Sequence, residues 1–165
     1  MLPIVLKSRA GRIGLTGHGE ALERRRAWLE AAGVHPIESL DIGALKGLQL
    51  LFVAGLDFPR ASELAAAAQS LGVLVHVEDI PSLCDFHAPA IVRRGDLTIS
   101  VSTGGRAPAL AKLLREWLDL RFGSEWARYA EQAGFARDAW RAEGANAAEL
   151  SRRTRELAAN GEWLR

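Results

Sequence analysis

Residues 76–87 hold an unusual density of side chains that bind metals or move protons. The run contains two histidines, three carboxylates and the single cysteine of the chain: His76, Glu78, Asp79, Cys84, Asp85 and His87. Imidazole and thiolate suit ferrous iron, cobalt or nickel, and a carboxylate can take up protons when its pKa suits the working pH. We therefore expect metal contact at His76 or His87. The alternative is a set of unrelated loop side chains, because none of the spacings is that of a standard zinc motif.

A second candidate site is the turn within "GLTGHGEALERRRAWLEAAG", residues 14–33. Gly17 and Gly19 have the spacing of a dinucleotide-binding turn, where the first glycine makes the bend and the second lets the backbone approach the diphosphate. The following helix offers free N–H groups to the anion. At the third position, where glycine or alanine is usual, stands Leu22. The motif alone leaves a cofactor loop and an ordinary tight turn equally open.

If the turn holds a dinucleotide, its contacts are expected from the loop and from an acidic residue about 20 positions on, which would bind the ribose hydroxyls. The predicted loop residues are Gly17, His18, Gly19 and Glu20, and the acidic candidates are Glu38 and Asp41.

The stretch "STGGRAP", residues 102–108, is typical of an anion-binding nest that opens a helix. Two glycines free the backbone N–H groups, and Pro108 favours a helix start whose dipole attracts negative charge. The predicted ligand contacts are Ser102, Thr103, Gly104, Gly105 and Arg106. The plainer interpretation is a helix entry with a tight bend.

The elements that must position these residues alternate between strand and helix. Apolar runs predict strands at 12–16, 35–39, 48–55 and 73–77, and helical periodicity favours helices at 20–32 and 61–72. This order predicts an α/β fold with a mostly parallel sheet. Two more strands are expected on either side of the turn at 94–96, and helices from residue 108 onward. In the first of these helices Trp117 shares a face with three leucines, which indicates core or interface packing.

The bulk composition excludes several classes of protein. The chain has 165 residues, is 48% hydrophobic and 25% charged, and carries a formal net charge of +1. We therefore expect a globular protein without nucleic acid or an anionic membrane as its main partner. One cysteine and an N-terminus without an apolar signal region predict a cytoplasmic protein. The segment from about residue 123 has few large apolar residues, so we expect it to pack on a second subunit.

Two blocks of sequence resemble the siroheme synthase N-terminal family of precorrin-2 dehydrogenases and sirohydrochlorin ferrochelatases. The first block matches that family's Leu-Pro start, glycine loop and helix end at Leu2, Pro3, Gly17, Gly19, Arg24, Ala32 and Gly33. The second matches in register at Asp79, Pro81, Phe86, Pro89, Gly95, Ser102, Gly104, Gly105, Pro108, Ala111 and Arg115. Together the blocks cover about residues 2–120.

The resemblance implies a Rossmann-like NAD-binding domain over 1–80, a dimerisation and active-site region over 81–122, and a helical segment over 123–165, acting as a homodimer. It implies NAD as cofactor, precorrin-2 or sirohydrochlorin as substrate, and ferrous iron as a second substrate. It makes Asp79 the general base, adds Asp57 to the cofactor contacts, and assigns residues 102–106 to the carboxylates of the tetrapyrrole.

The chain also departs from the family pattern. His18 replaces a glycine of the loop, Leu22 a small residue, and His76 an asparagine. Only about eight residues, 40–47, stand where the family carries a further strand, helix and strand. Three functions therefore stay open: an NAD-dependent precorrin-2 dehydrogenase with or without iron insertion, an NAD-independent chelatase, and a non-catalytic tetrapyrrole-binding protein.

Overall fold

A computed structural model describes residues 2–7, 12–38 and 42–164. The contacts of the chain separate it into two compact units, of which the first ends at Ala88 and the second begins at Pro89. This is a division by contact and not by role, so the three regions expected from the sequence remain predictions.

The first unit is a parallel sheet with two α-helices. In chain order it contains β1 (Ile13–Gly17), α1 (Gly19–Glu30), β2 (Ile37–Glu38), β3 (Leu50–Ala54), α2 (Phe58–Ser70) and β4 (Leu74–Val77). Short 3-10 helices cover Ile42–Leu45 and Pro81–Leu83. The strand order is β2-β1-β3-β4, and each neighbouring pair is parallel. The predicted α/β class with a mostly parallel sheet is confirmed.

The core lies on both faces of β3, whose five residues are all buried. On one face Leu51 and Val53 pack with the alanines of α2 and with Val75 and Val77 of β4. On the other, Phe52 packs with Leu15 and Leu29. Leu22 lies against this second cluster, so the bulky residue at the third position of the glycine turn is accommodated as part of the packing of α1.

The connection between β2 and β3 is as short as the sequence indicates. Within the described residues it holds one 3-10 helix, Ile42–Leu45, whose Leu45 is buried against the α2 side of the sheet. Leu48 follows it into the same cluster. These two buried leucines therefore anchor the short connection to the sheet.

The second unit combines a hairpin with three helices. Strands β5 (Ala90–Arg94) and β6 (Leu97–Val101) pair antiparallel, and α3 (Pro108–Arg121), α4 (Glu125–Ala142) and α5 (Ala147–Asn160) follow. The Arg94 guanidinium donates to the carbonyl oxygens of Asp119 and Phe122, at 2.9 and 2.7 Å, and so satisfies the end of α3. No helix in the described ranges is long and apolar enough to cross a membrane.

Candidate functional site

The carboxyl ends of the parallel strands β1, β3 and β4 meet at one edge of the sheet in the first unit, where α/β folds bind their ligands. An open hollow of about 570 Å³ lies at this edge. It is lined by His18, Gly55, Leu56, Asp57 and Arg60, which come from the loops after β1 and β3 and from the start of α2. This hollow is the candidate dinucleotide site.

The glycine turn at this edge has two glycines with positive φ, of which one is required by space and the other is favoured by its backbone conformation. Gly17 has φ 145°, and a Cβ there would overlap the carbonyl oxygen of Ala54. Gly19 has φ 68°, and a Cβ there would meet no atom within 4 Å. Gly17 is therefore needed for the close approach of β1 and β3, whereas Gly19 faces open space with a left-handed backbone.

Helix α1 begins at Gly19 and its first turn lacks a side-chain cap. His18 is the N-cap residue in extended conformation, and within the described residues its side chain makes no capping hydrogen bond. Glu20, in the first turn, pairs with Arg24 at 3.2 Å. The uncapped N–H groups, with open space at Gly19, fit the diphosphate of a dinucleotide.

The acidic candidate for the ribose is Glu38, the last residue of β2 next to β1. Its carboxylate forms a two-point ion pair with Arg26, at 2.6 and 2.8 Å, and this pair holds the pKa of Glu38 below its ordinary value. Arg26 also contacts Glu23. Asp41, the other candidate, lies outside the described residues.

Asp57 has a structural task at the same edge. Its side chain caps α2 by accepting a hydrogen bond from the Arg60 backbone N–H at 3.1 Å, and Pro59 stands in the first turn. Helix α2 therefore begins at Phe58 and not at residue 61, where the alanine-rich periodicity begins. Asp57, which the family resemblance adds to the cofactor contacts, therefore caps the helix and also lines the hollow.

Asp79 lies in the turn that ends β4. The Ile80 N–H donates to the Val77 carbonyl at 3.4 Å, and Asp79 has φ 64° at the third position, as in a type II turn. Its side chain is exposed, and no hydrogen bond or ion pair from the described residues holds the carboxylate. Aspartate adopts this left-handed backbone more readily than most residues but at a steric cost that glycine does not have, and backbone strain is often found at functional sites.

His76, Cys84 and His87 come together beside β4. One donor atom from each lies within 4.8 Å of the other two. The Cys84 Sγ is 3.7 Å from Nδ1 of His76, and that nitrogen also lies 3.1 Å from the carbonyl oxygen of Phe86. Burial lowers the pKa of His76 and raises the pKa of the Cys84 thiol. Of the metal-type residues expected from the sequence, these three are the ones that converge.

The neighbouring charges include one residue that the sequence analysis missed. The Arg25 side chain is only 14% exposed and lies over the rings of Trp28 and Phe52. Its guanidinium is 3.4 Å from both Glu78 Oε2 and His76 Nε2. Arg25 and Trp28 are three positions apart on a helix, and this spacing could have indicated from the sequence that both face the sheet.

The predicted anion nest lies in the second unit. Gly104 and Gly105 both have positive φ, 70° and 75°, between β6 and α3. The Thr103 hydroxyl accepts from the Ala107 N–H at 3.2 Å, while the N-cap residue Ala107 offers no side-chain cap to α3. The two glycines make the sharp bend before α3, and within it the Gly104 N–H donates to the Ser102 hydroxyl and the Arg106 N–H to the Thr103 carbonyl, both at 3.3 Å. The anion nest at this turn stays a prediction.

Two family models match the chain. The model described as "Putative NAD(P)-binding" matches residues 15–90, which hold the glycine turn and the edge of the parallel sheet. The model described as "Sirohaem biosynthesis protein central" matches residues 94–119, which hold the glycine pair and most of α3.

Curated relatives and a solved structure agree with these matches. The siroheme synthase of Pseudomonas putida is 35% identical over 158 residues, which cover 82% of this chain and 34% of that protein. The siroheme synthase of Methylobacillus flagellatus is 32% identical over 161 residues, covering 84% and 34%. This chain thus spans about a third of the length of these relatives. The structure of "SirC, precorrin-2 dehydrogenase" has the same fold, with a TM-score of 0.66 and 19% identity over 95% of this chain and 89% of that one.

Proposed function

We propose that this chain, a member of the siroheme synthase N-terminal family, oxidises precorrin-2 to sirohydrochlorin with NAD⁺ as the hydride acceptor. The NAD(P)-binding family model matches residues 15–90, nearly all of which lie in the first unit, and this supports a dinucleotide site there. The overall reaction converts precorrin-2 and NAD⁺ into sirohydrochlorin, NADH and a proton, so the protein has to hold the dinucleotide and accept the proton.

The observation that carries this proposal is the placement of Asp79. Its exposed carboxylate stands at the end of β4, on the sheet edge that also holds the glycine turn after β1. The turn fixes the backbone of Asp79, and no described residue forms a hydrogen bond or ion pair with its carboxylate. A free carboxylate held in this way can act as the general base that removes a proton from the ring carbon.

The cofactor contacts follow from the same edge. When bound, NAD⁺ supplies the acceptor for the hydride. The diphosphate would lie over Gly19 and the first N–H groups of α1, where no side chain obstructs it. Glu38 would face the ribose hydroxyls, and this requires its carboxylate to share its hydrogen bonds with Arg26. His18, Glu20 and Asp57 would border the bound dinucleotide.

The substrate carries many carboxylates around its ring, and the nest of the second unit is suited to one of them. The Gly104 N–H donates to the Ser102 hydroxyl at 3.3 Å, so the groups that this turn would offer to a carboxylate are the Gly105 N–H and the guanidinium of Arg106. Ser102 and Thr103 border the same concave turn. We assign these five residues to substrate binding and not to chemistry.

Insertion of ferrous iron into sirohydrochlorin is a second candidate activity. The observation that favours it is the cluster of two imidazoles and one thiol near Asp79 on the chain, because these donors suit ferrous iron. Asp79 would then take protons from pyrrole nitrogens, the same task that it has in the oxidation. His76 and His87 would contact the incoming metal.

The proposed assembly is a homodimer through α3. Leu113, Trp117 and Leu120 are exposed on that helix by 61%, 60% and 88%, and Leu110 and Leu114 extend the same face. A run of large apolar side chains on one helix face marks an interaction surface. A second copy of the chain would bury it.

Replacing Asp79 with asparagine tests the proposed base. Asparagine tolerates left-handed backbone as aspartate does, so the turn should persist while the carboxylate is lost. We expect single-turnover oxidation of precorrin-2, followed by NADH absorbance, to slow about 10²–10⁴-fold. Binding of NAD⁺ should be unchanged.

The matched control is Asp138→Asn, which removes an exposed carboxylate on α4 of the second unit and should oxidise precorrin-2 at the wild-type rate. An Asp79→Asn protein that also keeps the wild-type rate would rule out Asp79 as the base. Insertion of iron into sirohydrochlorin by a protein that does not oxidise precorrin-2 with NAD⁺ would favour the NAD-independent chelatase instead.

A further inference from the structure

We propose that His76, Cys84 and His87 form a binding site for one divalent first-row transition metal ion. The proposal does not rest on the oxidation of precorrin-2, because metal binding requires neither the tetrapyrrole nor the dinucleotide. The three residues belong to one unit and to one short stretch of chain, β4 and the loop after it.

The distances among the donor atoms are close to those of a bound ion. With metal–nitrogen bonds of about 2.0–2.1 Å and metal–sulfur bonds of about 2.3 Å, tetrahedral donors lie roughly 3.3–3.7 Å apart. Cys84 Sγ and His76 Nδ1 are already 3.7 Å apart, and all three donors lie within 4.8 Å of one another. An approach of about 1 Å by the His87 ring completes the set. No hydrogen bond to the other described residues restrains that ring.

The loop that carries Cys84 and His87 is held against β4 without the metal. The Asp85 backbone N–H donates to the Val75 carbonyl at 2.8 Å, and the Asp85 carboxylate accepts from the Val75 N–H at 2.9 Å. Gln69 of α2 donates to the same carboxylate. Asp85 is thus a positioning residue, and two of the three donors lie near their final places before an ion arrives.

The surrounding charges decide from which side the ion approaches. The Nε2 side of His76 faces the Arg25 guanidinium at 3.4 Å, which would repel a cation. The Nδ1 side faces Cys84 and the Phe86 carbonyl. Because a carbonyl oxygen only accepts, Nδ1 carries the ring proton in the metal-free protein, so binding of the ion at Nδ1 breaks the contact with that carbonyl and moves the proton to Nε2. The Arg25 charge is itself paired with Glu78 at 3.4 Å, which reduces its repulsion.

The donor set defines the class of metal. Two nitrogens and one sulfur favour iron, cobalt, nickel or zinc over magnesium and calcium, which prefer oxygen ligands. With three protein ligands, the fourth position stays available for water or for an incoming ligand. The site therefore suits a metal that is exchanged as well as one that is retained.

A titration of the full chain with Co²⁺, in the absence of tetrapyrrole and dinucleotide, tests the site. Because Cys84 is the single cysteine, any thiolate-to-cobalt charge-transfer band in the near ultraviolet comes from it. We expect this band and the visible bands of four-coordinate cobalt to saturate at one equivalent and to disappear on addition of Zn²⁺. Cys84→Ser should lose the charge-transfer band.

Histidine variants separate the site from adventitious binding. His87→Ala should weaken cobalt binding at least about tenfold, since loss of a ligand costs no less than loss of an outer-shell partner. The matched control His35→Ala removes an exposed histidine outside the cluster and should bind like wild type. His87 belongs to none of the buried clusters, so its variant should fold even if His76→Ala does not. The proposal is overturned if wild type shows no thiolate band, or if His87→Ala and His35→Ala bind cobalt equally.

Discussion

At Asp79 the backbone conformation favours glycine, whereas the proposed reaction needs a carboxylate. Its left-handed backbone would be unstrained for glycine, yet the position holds a carboxylate with no partner among the described residues. Strain of this kind persists where the surrounding structure over-determines it, here through the turn that joins Val77 to Ile80. The sequence points to the same position by its register in the family pattern, whereas the strain is visible only in the structure.

A substitution that relieves this strain should make the protein more stable and less active. Asp79→Gly should raise the free energy of unfolding by about 0.5–1 kcal/mol, because glycine adopts φ 64° without steric cost, and it should slow the oxidation as Asp79→Asn does. Chemical denaturation measures the first effect. Asp79→Ala is the control and should be less stable than wild type. A glycine variant less stable than wild type would show that the carboxylate stabilises the turn.

For helices and strands, local sequence patterns predict where most elements lie, but they do not predict which distant residues come into contact. The apolar run 48–55 predicts a buried strand, and β3 spans Leu50–Ala54 with every residue buried. The apolar repeat places the start of α2 three residues late, because the helix is begun by the Asp57 cap and Pro59, which precede the repeat. The contact of Arg25 with His76 joins residues 51 positions apart. It depends on the order β1-β3-β4, which no local pattern specifies.

The glycine turn allows a test of the cofactor site at this scale. Gly19→Val should abolish NAD⁺ binding, because a side chain at this position fills the space that the diphosphate needs. Gly33→Val is a matched control: Gly33 follows the same helix with φ 70°, and a Cβ there would also meet no atom within 4 Å. Both variants should lose similar stability from the strained backbone, about 1–2 kcal/mol.

Isothermal titration with NAD⁺ distinguishes the two variants. Loss of binding in Gly19→Val with retention in Gly33→Val supports the cofactor loop. Equal retention in both would contradict the placement of the diphosphate over Gly19.

At the scale of the whole molecule, the second unit has its own interior. Helices α4 and α5 contact each other, with Leu150 buried and the Arg153 guanidinium over the Trp140 ring at 5.8 Å. Tyr129 and Trp163 stack with ring centroids 4.9 Å apart. The sequence indicates a tail that needs a partner subunit, since its apolar residues are few. These contacts show that some of those apolar residues pack within the second unit, and the partner subunit remains a prediction.

The exposed face of α3 makes the assembly testable. We expect a homodimer in light scattering at micromolar concentration, and we expect Trp117→Glu to yield monomers because a charge would have to be buried in the interface. Lys112→Gln alters an exposed residue of the same helix away from the leucine face and should stay dimeric. A wild-type monomer at the same concentration would contradict the proposed interface.

In the proposed reaction the parallel-sheet edge holds NAD⁺, while Asp79 takes the proton from the ring that is oxidised. The most direct measurement is the stoichiometry of a single turnover, with precorrin-2 mixed anaerobically with wild-type protein and NAD⁺ and both products followed by absorbance. We expect one NADH to form for each sirohydrochlorin, at the same rate, and no sirohydrochlorin to form when NAD⁺ is left out. Sirohydrochlorin formed equally fast without NAD⁺, or none formed with it, would rule out NAD-dependent oxidation by this protein.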